Sequence, residues 1–223
     1  MGDHPYTKIS MQEHHIETTV SGRYLLEAPE GVGPFPLLAG FHGYGQSADD
    51  ELELLRSIPG SERWIRLSIE ALHPFINAKG QPAASWMTRR DRELRIAENV
   101  RYVDAVIERV MAELPLDGRL VLHGYSQGAG MACRAALLGR HPVTGVLLLG
   151  GDIPSEHDDL ARMRAVHLAR GENDHFYPKK HFENDLQRLR DNGIEPSLTL
   201  FHGGHAPTSD YFEAAGRFLD GIG

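Results

Sequence analysis

The stretch "LVLHGYSQGAGMACRAALLG", Leu120 to Gly139, decides how this chain is read. It opens on an apolar run of the kind that forms a buried strand. It closes on small apolar residues that suit a buried helix. Between them stands Gly124-Tyr125-Ser126-Gln127-Gly128, with no room for a loop. The chain must therefore turn from strand to helix at Ser126. Gly124 and Gly128 leave space where side chains would collide with the neighbouring strand and helix. A serine on such a turn is exposed at the strand's C-terminal end, in a strained backbone conformation. The N–H of Gln127, at the helix start, faces any negative charge that develops there.

Gly-x-Ser-x-Gly in this context predicts a nucleophile, Ser126. A serine hydroxyl reacts poorly without a base, and the base is expected to be a histidine late in the chain, oriented by an earlier carboxylate. His205 lies in "FHGGHAP", a glycine-bearing loop between the last strand candidate and the last helix candidate. His202 competes, but it sits nearer the strand, where a packing role is expected. For the acid, "LARGENDHFYP" puts Asp174 in a tight loop after a strand, with Glu172 and Asp152 as rivals. The loop "GFHGYGQSADD", Gly40 to Asp50, follows the first long core strand. Its glycines allow close backbone approach, so Tyr44 N–H is the expected second oxyanion donor beside Gln127 N–H. Tyr44, Trp86, Ile153 and Phe176 neighbour these motifs and are the candidate substrate pocket.

Other apolar runs extend the pattern. They fall at Leu37–Phe41, Trp64–Ile69, Val146–Leu149, Val166–Ala169 and Leu198–Phe201. "HHIETTVSGRYLLEAPE" alternates more and is expected to form an antiparallel hairpin at a sheet edge. From Glu93 to Leu114, apolar residues recur in steps of three and four, which predicts an amphipathic helix. "KKHFENDLQRLRDNG" and "SDYFEAAGRFLDGIG" are two further helix candidates. Strands alternating with helices predict an α/β fold with a mostly parallel central sheet flanked by helices, a three-layer sandwich. About fifteen residues separate the strand candidates after Leu149, a length typical of plain connections, which leaves little room for a lid.

Composition narrows the function. The chain has 223 residues, 41% hydrophobic, with a formal net charge of −8, which suits one domain over residues 1–223. No dense Lys/Arg block appears, so no nucleic-acid partner is expected. The single cysteine, Cys133, excludes an internal disulfide and a Cys-based zinc site. His14 and His15 read as part of a polar stretch, not as metal ligands. "MGDHPYTKISMQEHH" has no basic segment followed by an apolar core, and no apolar run approaches membrane-spanning length. A cytoplasmic protein without membrane insertion is the expectation, and homodimer formation stays open.

These pieces together resemble the α/β-hydrolase fold and, more narrowly, the phospholipase/carboxylesterase family, which includes the acyl-protein thioesterases. The resemblance runs from "FHGYGQ" through "GYSQGAG", "HPVTGVLLLGGDIP" and "RGENDHFYP" to "FHGGHAP". It implies a serine hydrolase of carboxylic esters, with Ser126, His205 and Asp174 as its triad. It also implies no large cap domain, no metal and no cofactor. Tyr44 stands where an aliphatic residue is usual, and Gln46 where an acidic one is. A dienelactone-type hydrolase, a peptidase or a non-catalytic binding protein on the same fold are the alternatives.

Overall fold

Leu37, Ala39 and Phe41 point to one face of a strand, and Leu38 points to the other; all four are buried. A strand apolar on both faces needs cover on both, and the chain supplies it with helices. The computed structural model describes residues 11–222. The N-terminal residues in which the sequence shows no leader pattern lie partly outside it.

In chain order the described elements are β1 (Tyr24–Glu27), β2 (Phe35–Phe41), α1 (Ala48–Arg56), β3 (Ile65–Ile69), β4 (His73–Ile76), β5 (Pro82–Ser85), α2 (Arg92–Glu113) and β6 (Leu116–Tyr125). Then follow α3 (Gln127–Leu138), β7 (Gly145–Leu149), β8 (Val166–Gly171), α4 (Lys179–Asp191), β9 (Ser197–Phe201) and α5 (Ser209–Gly221). Seven strands form one sheet in the order β1-β3-β2-β6-β7-β8-β9. Only β1 runs antiparallel to its neighbour within that sheet. The expected mostly parallel α/β architecture is thus present. Val103 and Ile107 of α2, Met131 of α3 and Phe182 of α4 belong to the core on one face. Leu55 of α1 and Tyr211, Ala215 and Leu219 of α5 belong to the core on the other.

Three local expectations need correction. The alternating N-terminal stretch does not make a hairpin. Only Tyr24–Glu27 is a strand, paired with β3 at the sheet edge. Residues 11–23 are exposed, Ile16 and Val20 included, so their alternation has no surface to bury against. The central strand β6 begins at Leu116, earlier than its apolar run, because Phe35 pairs with Leu116 before an irregularity in register that ends where Leu37 pairs with Leu120. Third, β4 and β5 form a hairpin that the sequence did not reveal. Between Leu149 and Val166 there is no helix or strand, in keeping with the short connection expected there.

Polar side chains are buried in the second core. His123 on β6 has no exposure; its Nδ1 lies 2.5 Å from Glu51 Oε1 on α1, and its Nε2 lies 2.8 Å from the Tyr211 hydroxyl on α5. A carboxylate can only accept, so Nδ1 carries the proton and Nε2 accepts from Tyr211. Burial raises the Tyr211 hydroxyl well above its ordinary pKa, which keeps it a donor. His167 on β8 sits beside Tyr211 and Phe218. Desolvation, helped by the positive charge of Arg217, pushes its pKa down to about 4.

This shift makes stability depend on pH. A histidine whose folded pKa lies below its unfolded value contributes stability above the unfolded value and loses it as pH falls through the folded one. For His167 that window runs from 6.5 to about 4. His167→Leu removes the titration. Urea unfolding at pH 7.5 and pH 5 should therefore show wild type losing about 2 kcal/mol more than the variant across this step. Parallel losses in the two proteins would mean that His167 charges freely in the folded state.

Candidate active site

The C-terminal ends of β2, β6, β7, β8 and β9 lie along one edge of the sheet, because all five run parallel. Loops leaving those ends converge there, the usual location of a site in such sheets.

Ser126 stands between β6 and α3 with φ 54° and ψ −118°. Residues other than glycine rarely adopt a positive φ, and here flanking structure enforces it. Ser126 N–H donates to Leu149 O (2.8 Å), and its own carbonyl accepts from Ala129 N–H (3.0 Å). A side chain at Gly128 would strike the Phe41 carbonyl, and one at Gly124 would strike the start of α3. The glycines therefore allow α3 to start close against β2 and β6. Gln127 N–H has no intramolecular acceptor among the described residues.

His205 and Asp174 arrive from two loops tied back to back. Asn173 N–H donates to Gly203 O (2.9 Å), and Glu172 N–H donates to Phe201 O (2.9 Å). Asp174 is buried at 3% exposure. Its Oδ1 accepts from the N–H groups of Phe176 (2.9 Å) and Tyr177 (3.0 Å). Its Oδ2 accepts from His205 Nδ1 (2.8 Å). The carboxylate has no proton to give, so His205 bears its hydrogen on Nδ1 and leaves Nε2 as an acceptor. Nε2 lies 2.9 Å from Ser126 Oγ. The three residues singled out by the sequence thus form one hydrogen-bonded line, an arrangement able to draw a proton from the serine hydroxyl.

The competing residues are elsewhere. His202 is exposed and paired with Glu172 at 3.2 Å, so the packing role expected for it does not hold. Asp152 is exposed, without a side-chain hydrogen bond among the described residues.

Around Ser126 the loop 42–46 is tightly held. Gly43 N–H donates to Gln46 Oε1 (2.8 Å), and Tyr44 N–H has no intramolecular acceptor among the described residues. Beneath the loop, His42 donates Nδ1–H to Gly43 O (2.7 Å), and its Nε2 accepts from Ala71 N–H (3.1 Å). Burial lowers the His42 pKa and so favours this neutral form.

The candidate pocket divides in two. Tyr44 and Phe176 are exposed, at 65% and 82%. Phe176 lies against the His205 ring at 4.9 Å between centroids. Tyr44 stacks on Phe75 at 5.3 Å. Trp86 and Ile153, however, are buried at 0% and 1% and do not line an accessible pocket. Trp86 Nε1 donates to His42 O (3.0 Å), and Trp86 N–H donates to Gln127 Oε1 (2.9 Å), so this residue braces the 42–46 loop from below. Ile153 donates its N–H to Asp185 and accepts from Arg188 through its carbonyl. Sequence reasoning missed Phe75, which lies in a hairpin it did not see. It also passed over Tyr125, whose ring flanks His205 at 5.1 Å. That residue was in plain view as the variable position of the serine motif.

The sequence profile of the phospholipase/carboxylesterase family matches residues 37–222. The chain belongs to this family. It is therefore an enzyme of the carboxylesterase and phospholipase-like hydrolases. Solved structures agree on the α/β-hydrolase fold. A carboxylesterase from Mesorhizobium loti superposes with a TM-score of 0.75 at 20% identity, over 90% of this chain and 95% of the other. The Bacillus cereus carboxylesterase gives 0.73 at 19%, over 91% and 95%. Zea mays acyl-protein thioesterase 2 gives 0.70 at 18%, over 91% and 99%. At these identities the likeness speaks for the fold alone. Comparison with curated protein sequences found no match.

Two further features bear on what this family member can bind. Among the described residues the one group of potential metal ligands is Glu13, His15 and Asp91, on the surface ahead of α2. None of the three touches the Ser126 line. No helix of the described residues is long and apolar enough to cross a membrane.

A direct test separates the two histidines of the last loop. His205→Ala should lower kcat for a p-nitrophenyl ester by at least about 10⁴-fold, because the serine loses its base. His202→Ala should stay within about threefold of wild type, since an exposed pair with Glu172 touches nothing in the line. An inactive His202 variant would overturn the assignment.

Proposed function

We propose that the protein hydrolyses carboxylic esters of short-to-medium acyl chains through an acyl-enzyme. The reading is carried by one observation, the unbroken line from Ser126 Oγ through His205 to Asp174. It takes residues 1–223 as one working unit acting on a small-molecule ester in the cytoplasm, and it extends to thioesters, whose acyl carbonyl reacts in the same way.

The roles follow from the chemistry of each group. The Ser126 hydroxyl attacks the acyl carbonyl as His205 Nε2 takes its proton. Asp174 holds Nδ1–H and stabilises the imidazolium that forms. Charge on the carbonyl oxygen is met by Gln127 N–H and Tyr44 N–H, neither of which has an acceptor to surrender among the described residues. His205 then gives its proton to the leaving alcohol. Water, activated by the same nitrogen, releases the acid and restores Ser126. Tyr44 with Phe75, and Phe176 beside His205, offer the acyl chain an open apolar surface in place of a closed tunnel.

Ser126→Ala removes one oxygen and should leave the circular dichroism spectrum unchanged. It should abolish fluorophosphonate labelling and reduce ester turnover by about 10⁴- to 10⁶-fold. Full activity in the folded variant would sink the reading.

Chain-length preference follows from the open surface. Each methylene placed on it is worth about 0.8 kcal/mol, close to fourfold in kcat/KM, until the surface is covered. A p-nitrophenyl series from acetate to palmitate should rise over short chains and then level or fall, with weak action on emulsified triglyceride. A steady rise to palmitate, with a jump in rate at the lipid interface, contradicts it.

A further inference from the structure

Arg170 is the next-to-last residue of β8 and is buried at 4% exposure. No carboxylate lies within ion-pair distance of it among the described residues. Its guanidinium is spent on the backbone of one loop. Nε donates to Tyr177 O (3.0 Å), and Nη2 donates to Glu172 O (3.2 Å) and Asp174 O (3.3 Å). Burying a cation without a counter-charge is costly, and fixed carbonyl dipoles are what make it tolerable here. The converse also holds: those three carbonyls can turn inward only because a multidentate donor awaits them.

The loop so gathered carries Asp174. Tyr177 links the two ends of the arrangement. Its N–H donates to Asp174 Oδ1, its carbonyl accepts from Arg170, and its hydroxyl donates to Asp185 Oδ2 (2.8 Å). Asp185 is itself buried and also accepts Ile153 N–H from the loop after β7. The two peptide units that meet at Tyr177 are thus held at opposite sides. If either swings, the Asp174 carboxylate loses a donor and turns away from His205.

We propose that Arg170 is a positioning residue for ester hydrolysis, fixing the 172–177 loop so that the Asp174 carboxylate meets His205 Nδ1. This rests on the assignment of Ser126, His205 and Asp174 made above. Arg170 touches none of the reacting atoms and acts only through the aspartate. It should therefore govern turnover and leave substrate binding on the outer surface alone.

The test is a double-mutant cycle in the full chain, read by steady-state and single-turnover hydrolysis of p-nitrophenyl butyrate. Arg170→Met should lower kcat about 10- to 100-fold with KM within about twofold of wild type, the scale expected when a reacting group is displaced by an ångström or less. In an Asp174→Asn background the same change should cost less than about threefold, because there is no carboxylate left to direct. Arg170→Lys keeps the charge and reaches fewer carbonyls. It should lose at least about fivefold in the wild-type background and almost nothing beside Asp174→Asn, and it carries the test if the methionine variant does not fold. Equal losses in the two backgrounds, or a lower melting temperature with kcat unchanged, would overturn the proposal and leave Arg170 a packing residue. A fully active Asp174→Asn protein would overturn the triad assignment itself, and the proposal with it.

Discussion

The backbone of one residue constrains the rest of this structure. Ser126 keeps a positive φ only because three neighbours refuse it any other path. Leu149 takes its N–H, Ala129 takes its carbonyl, and the close approach of α3 to Phe41 leaves no room to relax. Such a conformation stores strain that a packed environment must offset. The environment is the central strand and its helix, buried on both faces. That burial in turn requires the neighbouring parallel strands, which deliver the 42–46, 172–177 and 202–208 loops to the same edge. The geometry at Ser126 is thus inseparable from the order of the sheet.

The same dependence explains what could be read from the chain and what could not. Gly124, Ser126 and Gly128 are legible because local sterics dictate them within five residues. Asp174 and His205 are legible because strand–loop–helix order tells which loops end at the site. Trp86 and Ile153 were misplaced, though each neighbours a site motif. A position in a loop says where the backbone goes and not whether the side chain turns up to solvent or down into the core. Trp86 turns down because His42 O and Gln127 Oε1 are waiting for its two N–H groups. Those partners stand about forty residues away and carry no local signal. Arg170 and the His123 cluster were invisible for a similar reason. A charged residue inside an apolar strand looks like a flaw until the distant groups that satisfy it are known.

Support for the site is layered. His205 and Asp174 form one layer, and the atoms that aim them form another. Gln46 occupies Gly43 N–H, while Tyr44 N–H has no intramolecular acceptor among the described residues. Gln127 serves twice: its backbone N–H faces the site, and its side chain grips Ser85 and Trp86. Gln46 has a clear role here, since an amide oxygen accepts a backbone N–H without bringing a negative charge to the site. The aromatic surface made by Tyr44, Phe75, Tyr125 and Phe176 sits on this rigid base. In the proposed reading, variation there alters which acyl groups are held without disturbing the path of the proton.

The cluster of His123, Glu51 and Tyr211 ties the central strand to helices from opposite ends of the chain. Tyr211 belongs to α5, the last helix, and lies 88 positions beyond His123. During synthesis the ribosome therefore releases β6 and the serine turn well before the hydroxyl that satisfies His123. Until α5 docks, a buried imidazole nitrogen three residues from Ser126 has water or nothing as its partner. Burying it in that state is unfavourable. Satisfying the strand that leads into Ser126 therefore requires α5 to be in place.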